Sequence, residues 1–222
     1  ARADRAQHRH LSPLALDYSA PRGGLLAALT DSTMDRTAHV TGKGTWTAWD
    51  GTVTATQGNK RIAALTLGAR KGTYGLDGHL WTDPLLAPRA QAMIGPDVAL
   101  KIRATLEERM LTGTLSAQSA KLAITAKGGA DIAGRGYKDM VVDVAARAPI
   151  PLDSTDTLHG ARLHLLLDGA ALGQAAAWKL DAQGLQIDDT MLAGMSAHGD
   201  AHRGKDGWHS PVDLVVERIV TD

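Results

Sequence analysis

The chain has 222 residues, enough for one domain with a sizeable core, and its 24 Lys+Arg balance its 24 Asp+Glu. The neutral balance lacks the basic surplus of a nucleic-acid binder, so no nucleic-acid partner is expected. The absence of cysteine excludes a disulfide framework and a thiolate metal site. No run approaches the roughly 18–20 apolar residues that cross a bilayer, and no signal-peptide pattern is present. Any membrane anchor is therefore expected outside this segment. The start at Ala1 without Met leads to the expectation of a piece of a longer, repetitive chain. With five Trp, three Tyr and no Phe, the apolar interior must be built from Leu, Ile, Val, Met and Ala, which suits a thin layer or a narrow groove.

Residues 1–10 are charged and unpatterned and are expected to fray, leaving 11–222 as a single β-rich domain. From Ala38 onward the dominant signal is a period of two, the signature of half-buried strands. Ala38, Val40, Gly42, Gly44, Trp46 and Ala48 alternate with His39, Thr41, Lys43, Thr45 and Thr47. Asp50-Gly51 reads as a hairpin turn, with Thr52–Thr56 as the returning strand. Gly58-Asn59-Lys60 and Arg70-Lys71-Gly72 turn the chain into strands at 62–67 and 73–80. A short helix near 84–94 follows. Asp83 is its expected cap, Pro84 its first residue and Gly95-Pro96 its stop, with Pro88 shortening or kinking it.

Three strands come next. Val98–Leu106 alternates cleanly, Glu107-Glu108-Arg109 breaks it, Leu111–Ala117 alternates again, and 120–126 follows until Gly128-Gly129. The stretch from Pro149-Ile150-Pro151 to Thr157 reads as a loop within the same domain. Further strands are expected at 139–148, 161–168, 177–182, 184–187 and 212–220, while Ala-rich 170–177 fits either a helical turn or a strand. The pattern recurs without an exact sequence period, so an extended sheet and a closed barrel both remain open. The apolar phase of the three central strands, Val98, Leu100, Ile102, Leu106, Leu111, Leu115, Leu122 and Ile124, should face one interior if the registers match.

No constellation points to catalysis. His198 and His202 stand at i, i+4, the spacing of a helical zinc motif, but the adjoining Glu is missing and Gly199 breaks the helix. On a strand the two would lie roughly 13 Å apart, too far for one metal. Turn or strand histidines are the simpler reading, for these and for His8 and His10. Gly42-Lys43-Gly44 and Gly134-Arg135-Gly136 resemble pieces of phosphate loops but precede no helix, and read as strand or turn glycines. No Gly-x-Ser-x-Gly elbow is present. Glu107-Glu108 and Asp188-Asp189 sit in turn-like contexts, where adjacent carboxylates are ordinarily solvated. No catalytic residue, metal or cofactor is expected. The apolar phase fits an ordinary sandwich core or an apolar trough for acyl chains, with the small residues leaving room for one.

In style the chain resembles the TamB and AsmA-like family of Gram-negative envelope proteins. The resemblance rests on Gly-Thr-Trp-Thr-Ala at 44–48, Gly72–Gly78, Leu180–Leu185, Pro211–Val216, and the short helical insert ending Met93-Ile94-Gly95-Pro96 before a new strand. It extends over Leu11 to Asp222. It implies a non-enzymatic segment of an inner-membrane-anchored protein crossing the periplasm, whose curved sheet folds lengthwise into a β-taco with an apolar groove. Phospholipid acyl chains are the implied partners, outer-membrane assembly proteins are further candidates, and the implied role is support of outer-membrane biogenesis. A closed β-barrel or β-sandwich binding module is the competing architecture.

Overall fold

The computed structural model describes residues 12–20, 36–45, 47–133, 136–169, 175–204 and 207–221, with backbone alone for 12–20, 203, 204 and 208. The expected frayed start, His8, His10, Trp46, Gly134-Arg135 and residues 170–174 of the Ala-rich stretch lie outside the described residues.

One antiparallel sheet runs through the described chain. Its first nine strands are β1 (Ser12–Ala20), β2 (Arg36–Thr45), β3 (Ala48–Gln57), β4 (Lys60–Arg70), β5 (Thr73–Trp81), β6 (Asp97–Glu107), β7 (Met110–Gln118), β8 (Leu122–Asp131) and β9 (Gly136–Ala146). They pair in sequence order, each with the next. The sheet continues through β12 (Arg162–Gly169), β13 (Ala175–Ile187), β14 (Thr190–Gly204) and β16 (Asp213–Thr221). Three short pieces complete it: β10 (Ile150–Pro151), β11 (Thr157–His159) and β15 (Gly207–His209). The helix α1 (Pro88–Ile94) interrupts the meander between β5 and β6.

The all-β expectation holds, and the curved sheet is open. Strands β1 and β16 occupy opposite edges and do not pair, so the closed barrel is excluded. Every substantial contact between described strands joins hydrogen-bonded neighbours, so no second sheet packs against the first.

Several local expectations are corrected. Asp50-Gly51 lies inside β3, and the β2–β3 reversal comes earlier, between Thr45 and Ala48. The turn signal yields there because Gly51 pairs with Gly42 within a ladder that runs the length of both strands. Gly128-Gly129 does not end β8. The strand runs to Asp131 and absorbs an irregularity, with Gly128 (φ +148) against Asp139 (φ +47) and the register shifting between Lys127 and Gly129. The two expected strands at 177–182 and 184–187 are one, β13, because β14 pairs along its whole length. Strands β14 and β1 were absent from the sequence expectation. In β14, small residues such as Ala193, Gly194, Ala197 and Gly199 dilute the apolar alternation.

The 149–157 loop also carries structure: Ile150 and Pro151 pair with Leu158 and Thr157. The helix begins at Pro88 rather than Pro84, preceded by Ala87 in extended conformation (φ −61, ψ 151) and without a side-chain cap. A residue before proline is kept out of the helical region, so Pro88 sets the start. Before it, the Leu85 and Leu86 amides both donate to the Thr82 carbonyl (2.8 and 2.9 Å), and Asp83 accepts from the Gln91 side chain instead of capping. At Lys71-Gly72 both residues have positive φ (+48 and +82), as the tight turn joining β4 to β5 requires, and glycine takes the second at no steric cost.

Candidate functional site

Directly opposed residues of neighbouring strands point to the same face, so the registers sort the side chains. Leu100, Ile102 and Leu106 of β6 oppose Ala117, Leu115 and Leu111 of β7. Leu115 and Ala117 in turn oppose Ala126 and Ile124 of β8. Val98 and Leu122 continue the same phases. All eight residues of the expected apolar interior therefore share one face.

That face extends far beyond them. The ladder carries it to Leu76 and Leu80 of β5, and to Leu65 and Leu67 of β4. In β3 and β2 it holds Trp49, Val53, Val40 and Ala38. On the other side it holds Val142 and Val144 of β9, Leu163, Leu165 and Leu167 of β12, and Leu180 of β13. Met195 and Ala197 of β14 complete it before the edge strand. Among the described side chains from β2 to β14, the ladder brings charge onto this face only at one end, where Arg36 and Lys60 oppose Gln57.

The face is half-buried rather than buried. Along β6 and β12 exposed and intermediate residues alternate, the apolar phase being the less exposed. The most enclosed side chains on the face are small, including Ala63, Ala104, Ala176, Ala182 and Ala197. None of the large side chains described is fully buried, as fits a layer on which no described strand packs.

One tryptophan of this face, Trp49, lies over two glycines. Gly42 and Gly51 oppose one another, and the Trp49 indole covers both so closely that a Cβ at either would collide with the ring. The close approach of the ring explains Gly42-Lys43-Gly44 as strand residues, with Gly42 selected for it. Trp178 opposes Gly199, whose Cβ position is closed first by the Pro211 carbonyl and the Ser210 hydroxyl, and the Trp178 Nε1–H donates to Ser210 Oγ at 2.9 Å.

The opposite face is polar and laced with cross-strand pairs. Arg70 meets Asp50 (2.5 Å), Arg103 meets Asp77 (2.6 Å), His79 meets Asp97 (3.0 Å) and His164 meets Asp143 (2.6 Å). Thr41 and Thr52 share a hydroxyl hydrogen bond at 2.9 Å. Each ion pair is largely exposed, and such pairs contribute about 0–1 kcal/mol. Asp181 has its carboxyl held below the ordinary range, first by its bond with Lys179 and then by the Ser196 hydroxyl. One shallow cleft on this face is lined in part by Lys101, Arg103, Lys127 and Asp143.

His198 and His202 both stand on β14, four residues apart along an extended strand. His198 is 3.6 Å from Asp213, and His202 opposes His209 of β15. Among the described residues no group of three or more His, Asp or Glu is arranged to hold a metal. Asp188 and Asp189 form the β13–β14 turn, as their sequence context suggests. Among the described residues no helix is long and apolar enough to cross a membrane.

The sequence identified the central third of the face and missed its flanks. Leu65, Leu67, Leu76 and Leu80 carry the same alternation, but the 82–96 insertion separates them from β6 and hides their phase. Comparison with protein-family models, characterised proteins and solved structures finds no match.

Proposed function

We propose that this chain holds phospholipid acyl chains along the apolar face of its sheet, as a non-enzymatic segment of an envelope protein. The observation that carries this reading is a face, apolar over most of β2 to β14 and charged only at one end by Arg36 and Lys60, that no described strand packs against. Exposed apolar patches of this extent mark interaction or lipid surfaces, because water would otherwise penalise them. Each acyl CH₂ placed there gains about 0.8 kcal/mol. The small residues Ala, Gly and Val supply room, and the polar face keeps the sheet in water. A periplasmic setting and a role in outer-membrane biogenesis, with assembly proteins as partners, belong to the same proposal and draw on the likeness to TamB and AsmA-like chains.

The test is site-specific photo-crosslinking after expression in a host with a double-membrane envelope. A crosslinker at Leu100, on the apolar face, is expected to capture phospholipid, and one at Lys101, on the polar face, is not. Native mass spectrometry of the unmodified protein should show copurified phospholipid. Equal capture at the two positions, or none at either, would overturn the reading.

A further inference from the structure

The helix makes a contact that does not follow the ladder. Helix α1, in the connection from β5 to β6, packs against β10 (Ile150–Pro151), in the connection that leaves β9. Arg89 of the helix donates to the Leu152 carbonyl. Three strands, β6, β7 and β8, lie between the two connections in the sheet.

The contact is anchored on both sides. Gln57 at the end of β3 donates to the Pro84 carbonyl at 2.6 Å, and the buried Thr82 hydroxyl donates to the Gly95 carbonyl. Gly95 packs against Ser119 and Lys121 in the β7–β8 turn. From the other connection, the Arg147 amide donates to the Lys121 carbonyl (2.7 Å) and its guanidinium to the Ser119 carbonyl (3.2 Å). Ile150, in the strand that the helix packs against, is itself buried. All of these groups lie at one end of the sheet, whereas the other end joins β4 to β5 and β6 to β7 by two-residue turns.

We infer that these two connections form a clasp across the end of β6–β8 that sets the curvature of the sheet there. An antiparallel sheet held only by neighbour-to-neighbour hydrogen bonds has soft curvature, and a link between elements three strands apart removes that freedom. The strands beneath the clasp are those that carry Val98, Leu100, Ile102, Leu106, Leu111, Leu115, Leu122 and Ile124. The clasp therefore fixes the width of the apolar face at its centre. As a regulator of acyl-chain binding it rests on the reading proposed above; as a mechanical device it stands alone.

The registers supply a ruler. Ala64, His79, Ala99, Gln118, Ala123 and Ala145 form one row across β4 to β9 on the polar face. Five strand spacings of ~4.8 Å make the flat arc ~24 Å. The protein has no cysteine, so spin labels at Ala64→Cys and Ala145→Cys report this chord alone. With the clasp intact, a narrow distance distribution shorter than the flat arc is expected. With Arg89→Ala plus Ile150→Ser, the distribution should broaden and move outward. A second variant replaces residues 88–94 by a glycine-serine linker of equal length, in case the first fails to fold. An unchanged distribution in either folded variant overturns the clasp. The measurement uses no lipid, so its failure is distinct from a failure of the crosslinking test. If both readings hold, opening the clasp should change phospholipid capture at Leu100.

Discussion

At the scale of single residues, a tryptophan–glycine cluster shapes part of the apolar face. Trp49 spans Gly42 and Gly51. A ring laid flat over a glycine restores the side-chain contact that the glycine cannot make, and it leaves the face smooth. Gly51→Val should push the Trp49 ring off the sheet, at a cost of about 1–3 kcal/mol typical of overpacking. A change in tryptophan emission together with a lower urea midpoint checks this. On the polar face, Asp181 titrates below its ordinary value because Lys179 and Ser196 stabilise its charged form. Its folded value lies below its unfolded one, so its contribution to stability is present above about pH 4 and is lost as pH falls through the folded value. In Lys179→Ala the Asp181 carboxyl should titrate upward toward the ordinary range, measured by carboxyl-carbon NMR. By contrast, His198→Ala and His202→Ala should each leave thermal stability within about 0.5 kcal/mol, since both side chains are exposed on a solvated face.

At the scale of elements, the strands were largely legible and their limits were not. Alternation in Val98–Leu106 and Leu111–Ala117 marked β6 and β7 because Val, Leu and Ile alternate with Lys, Arg, Thr and Ser over most of their length. In β14 the same alternation is carried by Ala and Gly on one phase, which gives no contrast, and the fifteen-residue strand passed unseen. Asp50-Gly51 shows the limit of turn chemistry: a favourable dipeptide is overridden when the ladder on both sides continues. The face itself was legible only within β6–β8, where short turns preserve the phase. The helix and the Gly128 irregularity reset it, and only pairing restores it. The openness of the face has a consequence for substitution. In a closed core, a buried carboxylate without a partner unfolds the protein. Here Ile102 and Leu122 are only half-buried, and a carboxylate can lean to water. Ile102→Asp and Leu122→Asp should each keep a strand-dominated far-UV spectrum while losing phospholipid crosslinking at Leu100. By analogy with lipid-facing barrel positions, the charge costs about 2–4 kcal/mol on the acyl path, a roughly 30- to 1,000-fold loss. Unfolding of both variants would mark the face as a packed core.

At the scale of the molecule, an open sheet has two edges, and they are unequal in what they expose. Strand β16 pairs with β14 on one side only, and its other backbone edge is free among the described residues. It breaks the division of faces seen elsewhere. Leu214 and Val216 continue the apolar face through their partners Ala197 and Met195. Val215 and Ile219 sit on the opposite, otherwise polar face, opposing Ser196 and Leu192, and are 59% and 66% exposed. The edge contains no proline and no lysine, and its charged residues are Asp213 at the start and the adjacent Glu217-Arg218, leaving Leu214-Val215-Val216 without a charge between them. A nine-residue edge with Leu214, Val216 and Val220 on one face and Val215 and Ile219 on the other, interrupted by Glu217 and Arg218, is a template for another strand, and self-association through it is the expected behaviour at high concentration. A lysine at Val215 or Ile219 places charge on the polar face, where the sheet already tolerates it, and leaves the apolar face untouched. Val215→Lys plus Ile219→Lys should therefore shift sedimentation from concentration-dependent association toward monomer, with the far-UV spectrum and crosslinking at Leu100 unchanged. Association that persists in the double variant would assign it to the apolar face instead. Adding Ile102→Asp to the lysine pair should then remove it, so the two surfaces are separable by sedimentation alone.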